Sequence, residues 1–501
     1  MSATTVSRFF RESAVYAIGA LLSQGITFVL FPFLAHVFSP HDYGVIDILA
    51  LAATLVSFTV TLEINQGLAR EASGLQDRAV WRAYASTALI FTVATYTIFA
   101  IVTIALAVPI THLLLDRHTS PSIVRVAIAV IWVNGAVYLA QDQLRWHKRP
   151  GAYVAATIAL AVGTTITTGV LVLAFGVGVV AALVGQLVGA LCAGLVLFAV
   201  SRTDYRWCFD REKCRHMLSY SSPLVLSSIG VFLNSFGDRI AIRDARSLSA
   251  IGVYGVGFRI AAVVSLLLIG FQGSTTPMVF ARHREPSTRI ELARIFRLFC
   301  AMGLIVFVAL SVFADSEVRL LAARSYAGAD VVVPYLVLQA LLFGAYVFAP
   351  GLSIVRRTRV IALISVSAGL INLGLAFALV PSLGIRGAGI ATLVSSVWFF
   401  AWNMAGSQRT YLVPHRWGRL AGALGVAVTV VAAVRSLLPQ GGEHALALGP
   451  LAAKGAITLG AAALIMALLV ERQELVAGSE HAQLGSDSYT SINRRATTRM
   501  S

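Results

Sequence analysis

A few charged residues stand where charge is least welcome. Arg259 sits between Phe258 and Ile260 inside an apolar run, Asp238-Arg239 lies near the end of another, and a third run contains Asp47 and ends at Glu63. An arginine in a water-filled, low-dielectric cavity suits an anion, phosphate above all, because its planar fork donates two parallel bonds. Arg259 follows Asp47 by 212 positions, and across a pseudo-two-fold axis the two could face one cavity or pair and lock two halves together. Arg239, Arg70, Arg125 and Arg145 are further substrate-binding candidates, each also readable as a helix-end charge that reaches for water. Gln24 and Gln186 lie within apolar runs and suit hydrogen bonds between helices, worth about 1 kcal/mol each.

Catalytic patterns are missing. The sequence has no phosphate-binding loop, no histidine pair at helical spacing and no metal-ligand cluster, so no cofactor, metal or catalytic residue is expected. His36, His112, His118 and His147 stand alone, and Cys192, Cys208, Cys214 and Cys300 lack the paired spacing of a disulfide framework or zinc site.

The elements that must position these residues are apolar and long. Of 501 residues 57% are hydrophobic and 12% charged, about half the charge of a soluble domain. Fourteen spans are expected, near 14–38, 45–64, 83–107, 123–143, 152–175, 179–200, 223–242, 250–272, 296–314, 332–353, 360–380, 387–406, 419–438 and 450–470. The first two form a hairpin around the polar corner Ser39-Pro40-His41-Asp42-Tyr43-Gly44, and the first is an uncleaved span. Most of the 39 Lys and Arg gather in alternate connections, which marks that face as cytoplasmic and puts both termini there. The net charge of +16 is thereby a topology signal, and nucleic acid is excluded as a partner. No connection is long enough for a catalytic domain.

The first six spans resemble the next six. Tyr43-Gly44-Val45 answers Tyr254-Gly255-Val256, Lys148-Arg149 answers Arg356-Arg357, Phe175-Gly176-Val177 answers Leu383-Gly384-Ile385, and Arg70 answers Arg282, at offsets of 208 to 212. An even number of spans per copy gives both copies one orientation, related by an axis along the membrane normal. The expected architecture is all-α and polytopic: a six-helix lobe over 1–215, a second over 216–410, two added helices over 411–470, and a disordered cytoplasmic tail over 471–501.

Several segments resemble a known family. Phe31-Pro32-Phe33-Leu34-Ala35, the corner from Phe38 to Gly44, Gly67-Leu68-Ala69-Arg70, Ser219-Tyr220-Ser221-Ser222-Pro223-Leu224, Asp238-Arg239 and Gly252-Val253-Tyr254-Gly255-Val256 are similar to the Wzx-type polysaccharide and O-antigen flippases. These form a branch of the multidrug/oligosaccharidyl-lipid/polysaccharide superfamily. The resemblance spans roughly residues 10 to 410. It implies a flippase in the bacterial inner membrane that moves an undecaprenyl-pyrophosphate-linked oligosaccharide by alternating access for O-antigen, capsule or exopolysaccharide. It also implies a central cationic cavity, with Arg259 foremost, and a polysaccharide polymerase and a chain-length regulator as partners beside the membrane lipids. Spans one and three carry no internal basic residue, a departure that makes the cavity less cationic, and coupling to protons or sodium would require a titratable acid, for which Asp47 and Glu63 are the ion-coupling candidates of the first hairpin. The competing readings are a peptidoglycan lipid-precursor flippase, a cation-coupled drug antiporter, or an integral-membrane glycan polymerase or acyltransferase.

Overall fold

The computed structural model of the chain describes residues 19, 21–26, 28–72, 77–117, 119–146, 149–176, 178–438 and 447–470. Among these the regular elements are helices. In chain order they are α1 (Leu21–Val37), α2 (Pro40–Thr59), α3 (Ile64–Ala72), α4 (Arg78–Ala105), α5 (Ala107–Leu114), α6 (Pro121–Trp146) and α7 (Pro150–Phe175). There follow α8 (Val179–Ser201), α9 (Arg211–Ser221), α10 (Leu224–Ala245), α11 (Leu248–Ala261), α12 (Val264–Arg282), α13 (Pro286–Val312) and α14 (Ala314–Leu321). The last are α15 (Val333–Gly344), α16 (Gly351–Ile354), α17 (Thr358–Leu383), α18 (Ile385–Thr410), α19 (Trp417–Leu437) and α20 (Leu448–Leu469). Twelve helices among the described residues are long and apolar enough to cross a membrane, or thirteen when α11 and α12, bent by 45°, count as one span. A shorter apolar helix, Leu21–Val37, occupies the place of the first expected span, whose residues 14–18 lie outside the described residues. The tail over 471–501 lies outside them as well.

The polar corner is shorter than the sequence suggests. Ser39 is a helix cap: its hydroxyl accepts from the Asp42 amide at 3.2 Å while Asp42 accepts from the Ser39 amide at 3.3 Å, a reciprocal capping box. Pro40, with its φ preset, takes the first helical position, so the second span runs over 40–59 rather than 45–64. It ends early because Leu62 and Glu63 take left-handed backbone angles (φ 50° and 55°), which side chains adopt only at a cost of roughly 1–2 kcal/mol each. The eighth expected span is likewise broken, between Ala261 and Val264.

The duplication is visible in the helix starts. α2 and α11 begin at Pro40 and Leu248, α4 and α13 at Arg78 and Pro286, and α7 and α17 at Pro150 and Thr358, each pair 208 apart. Ser39 and Ser247 both cap their helices by accepting from the amide three residues on, although Ala250, unlike Asp42, cannot return the bond. Gly176 and Gly384, in left-handed backbone (φ 61° and 60°), terminate α7 and α17. The two copies meet where α2 crosses α11. A Cβ on Gly44 would lie 1.9 Å from the carbonyl oxygen of Leu248, and one on Gly252 would lie 1.9 Å from that of Pro40. Each contact is the other with its partners exchanged, as a two-fold relation requires. At this crossing Gly44 therefore pairs with Gly252, not with the Gly255 suggested by the Tyr-Gly-Val match.

The chain divides into two compact units. The first, Met1–Pro277 with Ala314–Tyr411, holds α1 to α11, most of α12, and α14 to α18. The second, Met278–Phe313 with Leu412–Ser501, holds α13, α19 and α20, which pack on one another. Within this second unit His415 lies between the rings of Phe296 (4.7 Å) and Trp417 (5.1 Å), with both ring nitrogens buried and unpartnered. Burial, reinforced by the Arg297 charge, pushes its pKa down from 6.5 to about 4.

Two outcomes follow from these packings. Replacing Gly44 or Gly252 by alanine forces two backbones apart and costs about 1–3 kcal/mol, read as earlier loss of monodisperse protein on heating, whereas Gly169→Ala, where nothing lies within 4 Å, does not. His415 protonates more readily unfolded than folded, so stability falls as pH drops from 6.5 to about 4. His415→Phe, which keeps the ring and cannot titrate, flattens that slope by about 1–2 kcal/mol in thermal unfolding across the window.

Candidate functional site

The site begins with two helices crossing at their glycines. Beyond the crossing, Tyr43 and Asp47 of α2 are stacked one turn apart on the face toward α11, and Gly255 and Arg259 of α11 stand in the same relation. Gly255 leaves the space that the Asp47 carboxylate fills, since a Cβ there would lie 2.5 Å from Oδ2. Arg259 reaches over the Tyr43 ring at 4.3 Å and donates from Nη2 to Asp47 Oδ1 at 3.0 Å. Its Nη1 donates to the Gly255 carbonyl at 3.3 Å. A second arginine approaches the same carboxylate: Arg239 Nε of α10 lies 3.7 Å from Asp47 Oδ2.

Arg239 is the more deeply held of the two. Its guanidinium lies 4.3 Å from the Phe258 ring centre and 5.3 Å from those of Phe236 and Tyr254, so aromatic faces replace the water it has lost. The neighbouring Asp238 accepts from the Tyr254 hydroxyl and, at 3.0 Å, from Thr392, which ties α10 to α11 and α18. Asn372 of α17 completes the layer, donating to the Asn234 carbonyl at 2.8 Å. Two carboxylates and two guanidiniums make the cluster neutral as a whole. Asp47, Asp238 and Arg239 are each less than a tenth exposed, while the Arg259 side chain keeps 30% of its surface open.

That opening is a cavity of about 330 Å³ lined by Tyr43, Asn134, Thr164, Thr168, Gln186 and Arg259 among others. Asn134, Leu160 and Gln186 also line a second cavity of about 700 Å³, which extends toward the Glu63 end of α2. The described residues lining the larger cavity include Glu63 and Asp142 and no lysine, arginine or histidine. Glu63 accepts from the Ser228 hydroxyl of α10, and Asp142 accepts from Asn65 at 3.4 Å. At the opposite end two bonds to backbone carbonyls join α1 and its C-terminal flank to the segment after α14. The Ala323 amide donates to the Ala35 carbonyl at 3.0 Å and the Tyr326 hydroxyl to the Phe38 carbonyl at 2.9 Å. Arg243 there caps the last carbonyls of α5, with its shortest bond to Leu115 at 2.6 Å.

The sequence candidates thus separate. Arg259, Asp47 and Arg239 are brought together, and Glu63 reaches the larger cavity. Arg70 is exposed, with its guanidinium 4.3 Å from the Tyr220 ring, and lines neither cavity. Arg125 is exposed in the first turn of α6 and lines neither. Arg145 lies near the end of α6, and its side chain is outside the described residues. Gln24 donates to Ser265 at 2.9 Å, and Gln186 faces both cavities. Sequence reasoning missed Thr392 and Ser228, because a Ser or Thr hydroxyl in an apolar helix usually bonds its own backbone and leaves no pattern, and it read Tyr254 only as part of the repeat. The cysteines are free, and no cluster that could hold a metal occurs among the described residues.

Known proteins supply the comparison. The family of polysaccharide biosynthesis proteins matches residues 9–283, just over half of the chain. No curated protein sequence matches significantly. Among solved structures, the lipid II flippase MurJ in an inward closed conformation superposes with a TM-score of 0.69 at 12% identity, covering 91% of this chain and all of that one. An inward-facing multidrug resistance transporter of the MATE family superposes at 0.58 and 17% identity, covering 88% and 97%. A transporter of the MOP superfamily from Pyrococcus furiosus superposes at 0.51 and 14%, covering 86% and 96%. The architecture is that of the MurJ and MATE transporters, and the chain belongs to the polysaccharide biosynthesis protein family.

Proposed function

We propose that this protein is a flippase that carries an undecaprenyl-pyrophosphate-linked oligosaccharide across the bacterial inner membrane by alternating access, for surface polysaccharide synthesis. The observation that carries this reading is the Asp47–Arg259 pair, which joins the two structural repeats and whose arginine at the same time lines a cavity. The basic connections favour the Glu63 end as cytoplasmic, with both termini on that side. A pyrophosphate entering from there meets the open face of Arg259 and competes with Asp47 for its fork. Exchanging one charge-assisted pair for another leaves no charge bare, so the swap is energetically cheap although the separated charges would not be. Once Arg259 turns to the cargo, the tie between α2 and α11 is released and the Pro40 end can part. When the cargo leaves, Asp47 recovers its arginine.

Ion coupling fits the same parts. Asp47, poised between two arginines, and Glu63, at the cytoplasmic end of the larger cavity, are the groups at which a proton or a cation would bias the exchange. Arg239 acts on Asp47, while Arg70, Arg125 and Arg145 would serve by drawing an anionic head to the entrances. A polymerase and a chain-length regulator would receive the product. The lipid II flippase among the structural neighbours favours a second reading, a peptidoglycan lipid precursor as cargo. Supplying reconstituted protein with each lipid in turn separates the two.

Three experiments test the mechanism. Cysteines at Ala35 and Ala323, in a background without the native thiols, should cross-link on oxidation and abolish transport until reduced; undiminished transport by the cross-linked protein would rule out opening at that end. Asp47→Asn leaves two arginines short of their carboxylate and should cost about 3 kcal/mol in stability, part of it recovered in the double variant with Arg259→Gln. Arg259→Ala in a complemented strain should lose more surface polysaccharide than any fall in its protein level explains, with Arg259→Lys intermediate because it keeps the charge and lacks the fork.

A further inference from the structure

The bonds near the Pro40 end come in a pair. Ala35, in the last turn of α1, accepts from the Ala323 amide just after α14. Arg243, in the last turn of α10, reaches the residues that end α5. Ala35 and Arg243 stand 208 apart, the spacing of the repeat, and α5 and α14 begin 207 apart. Each bond set therefore joins the first span of one copy to the end of the short helix of the other, and the two-fold relation exchanges them. They are built differently. The first is backbone to backbone, with the Tyr326 hydroxyl adding a bond to the Phe38 carbonyl. In the second a side chain does the joining. Arg243 donates from Nε to the Leu114 carbonyl at 3.2 Å, and from Nη2 to those of Leu113 at 3.2 Å and Leu115 at 2.6 Å. The last carbonyls of a helix have no partner within it and carry the negative end of its dipole, so a guanidinium suits several of them at once.

We infer that Arg243 is a positioning residue for transport, the latch that sets how readily the Pro40 end parts. The inference rests on the flippase reading and adds the residue that regulates its opening. Parting this end hands both the guanidinium and the carbonyls to water, which exchanges hydrogen bonds and strands no charge, so the latch is reversible. Arg239, which approaches Asp47, lies one turn before Arg243 on the same face of α10, and one helix thus carries both the central cluster and the latch. Arg246, three residues further on, makes a comparable set of bonds to the Val380 and Pro381 carbonyls of α17, the shortest 2.7 Å to Pro381. Both partners of that set belong to the second copy, so it braces one copy and leaves the junction alone. The contrast between Arg243 and Arg246 separates a latch between copies from a brace within one.

The test reads the junction directly. The full chain without its native cysteines, carrying Ala35→Cys, is placed in lipid nanodiscs with no cargo lipid, and its rate of labelling by a water-soluble maleimide is measured. Ala35 is fully buried, and a cysteine there keeps the backbone carbonyl. Phe38→Cys, buried at the same junction, is the second reporter. Arg243→Gln should speed labelling at least about fivefold, because the shut state loses charge-assisted bonds. Arg243→Lys should fall in between, and it carries the comparison if Arg243→Gln does not fold. Arg246→Gln should label within about twofold of the background while lowering the unfolding temperature comparably. In proteoliposomes supplied with an undecaprenyl-pyrophosphate-linked glycan, Arg243→Cys and Leu115→Cys bridged by a short bismaleimide should stop transport. Equal labelling of the Arg243 and Arg246 variants, or undiminished transport by the bridged protein, makes Arg243 a local cap and overturns the latch, with the flippase reading untouched. If the native protein moves no lipid while the Arg243 variant still labels faster, the latch stands and the flippase reading fails.

Discussion

A carboxylate shared between two guanidiniums in a low-dielectric setting governs the rest of this molecule. Removing Asp47 and its arginines from water carries a large desolvation cost, which is offset only if each charge keeps its partners. Everything around them serves that condition. Aromatic faces cover Arg239, the Gly255 carbonyl and the Tyr43 ring hold Arg259, and Tyr254 and Thr392 occupy the neighbouring Asp238. Such a cluster is stable as a set and intolerant of a missing member. A ligand that can replace one member therefore has leverage over the helices it connects.

The scaffold makes that leverage possible by duplication followed by divergence. The two copies share helix starts, caps and terminating glycines at a spacing of 208, and they cross through matched glycine–carbonyl contacts. Symmetry of the backbone brings α2 and α11 together. Asymmetry of the side chains then does the chemistry, because Asp47 has Gly255, not another acid, at the matching place in α11. Had both copies kept a carboxylate, the crossing would have held two like charges in one small space.

The two cavities divide along the same line. The smaller one is bordered by an arginine whose charge is already answered, and the larger one by carboxylates. A single cationic chamber, as family resemblance suggests, would hold phosphate and sugar alike. Here the described lining of the smaller cavity includes Arg259, and that of the larger one includes Glu63 and Asp142.

Length and apolarity of the runs, and the gathering of basic residues in alternate connections, were enough to read a multi-span helical bundle, because lipid forces every backbone bond into a helix and leaves little freedom in element type. The repeat was also readable, since Gly176 and Gly384 need a backbone that few other residues tolerate. Arg259 and Asp47 could be singled out because charge inside an apolar run is rare. What they do could not: pairing, neutralisation by Arg239, and exposure to a cavity depend on the crossing of α2 and α11, which has no local signature. The early end of α2 at Thr59 was hidden because Leu62 and Glu63 look like ordinary helix residues, and only packing sustains their left-handed angles. Composition thus determined the solvent and the element type, while the tertiary structure decided which buried charges meet, since charges 212 residues apart attract only after the chain has brought them within a few ångströms.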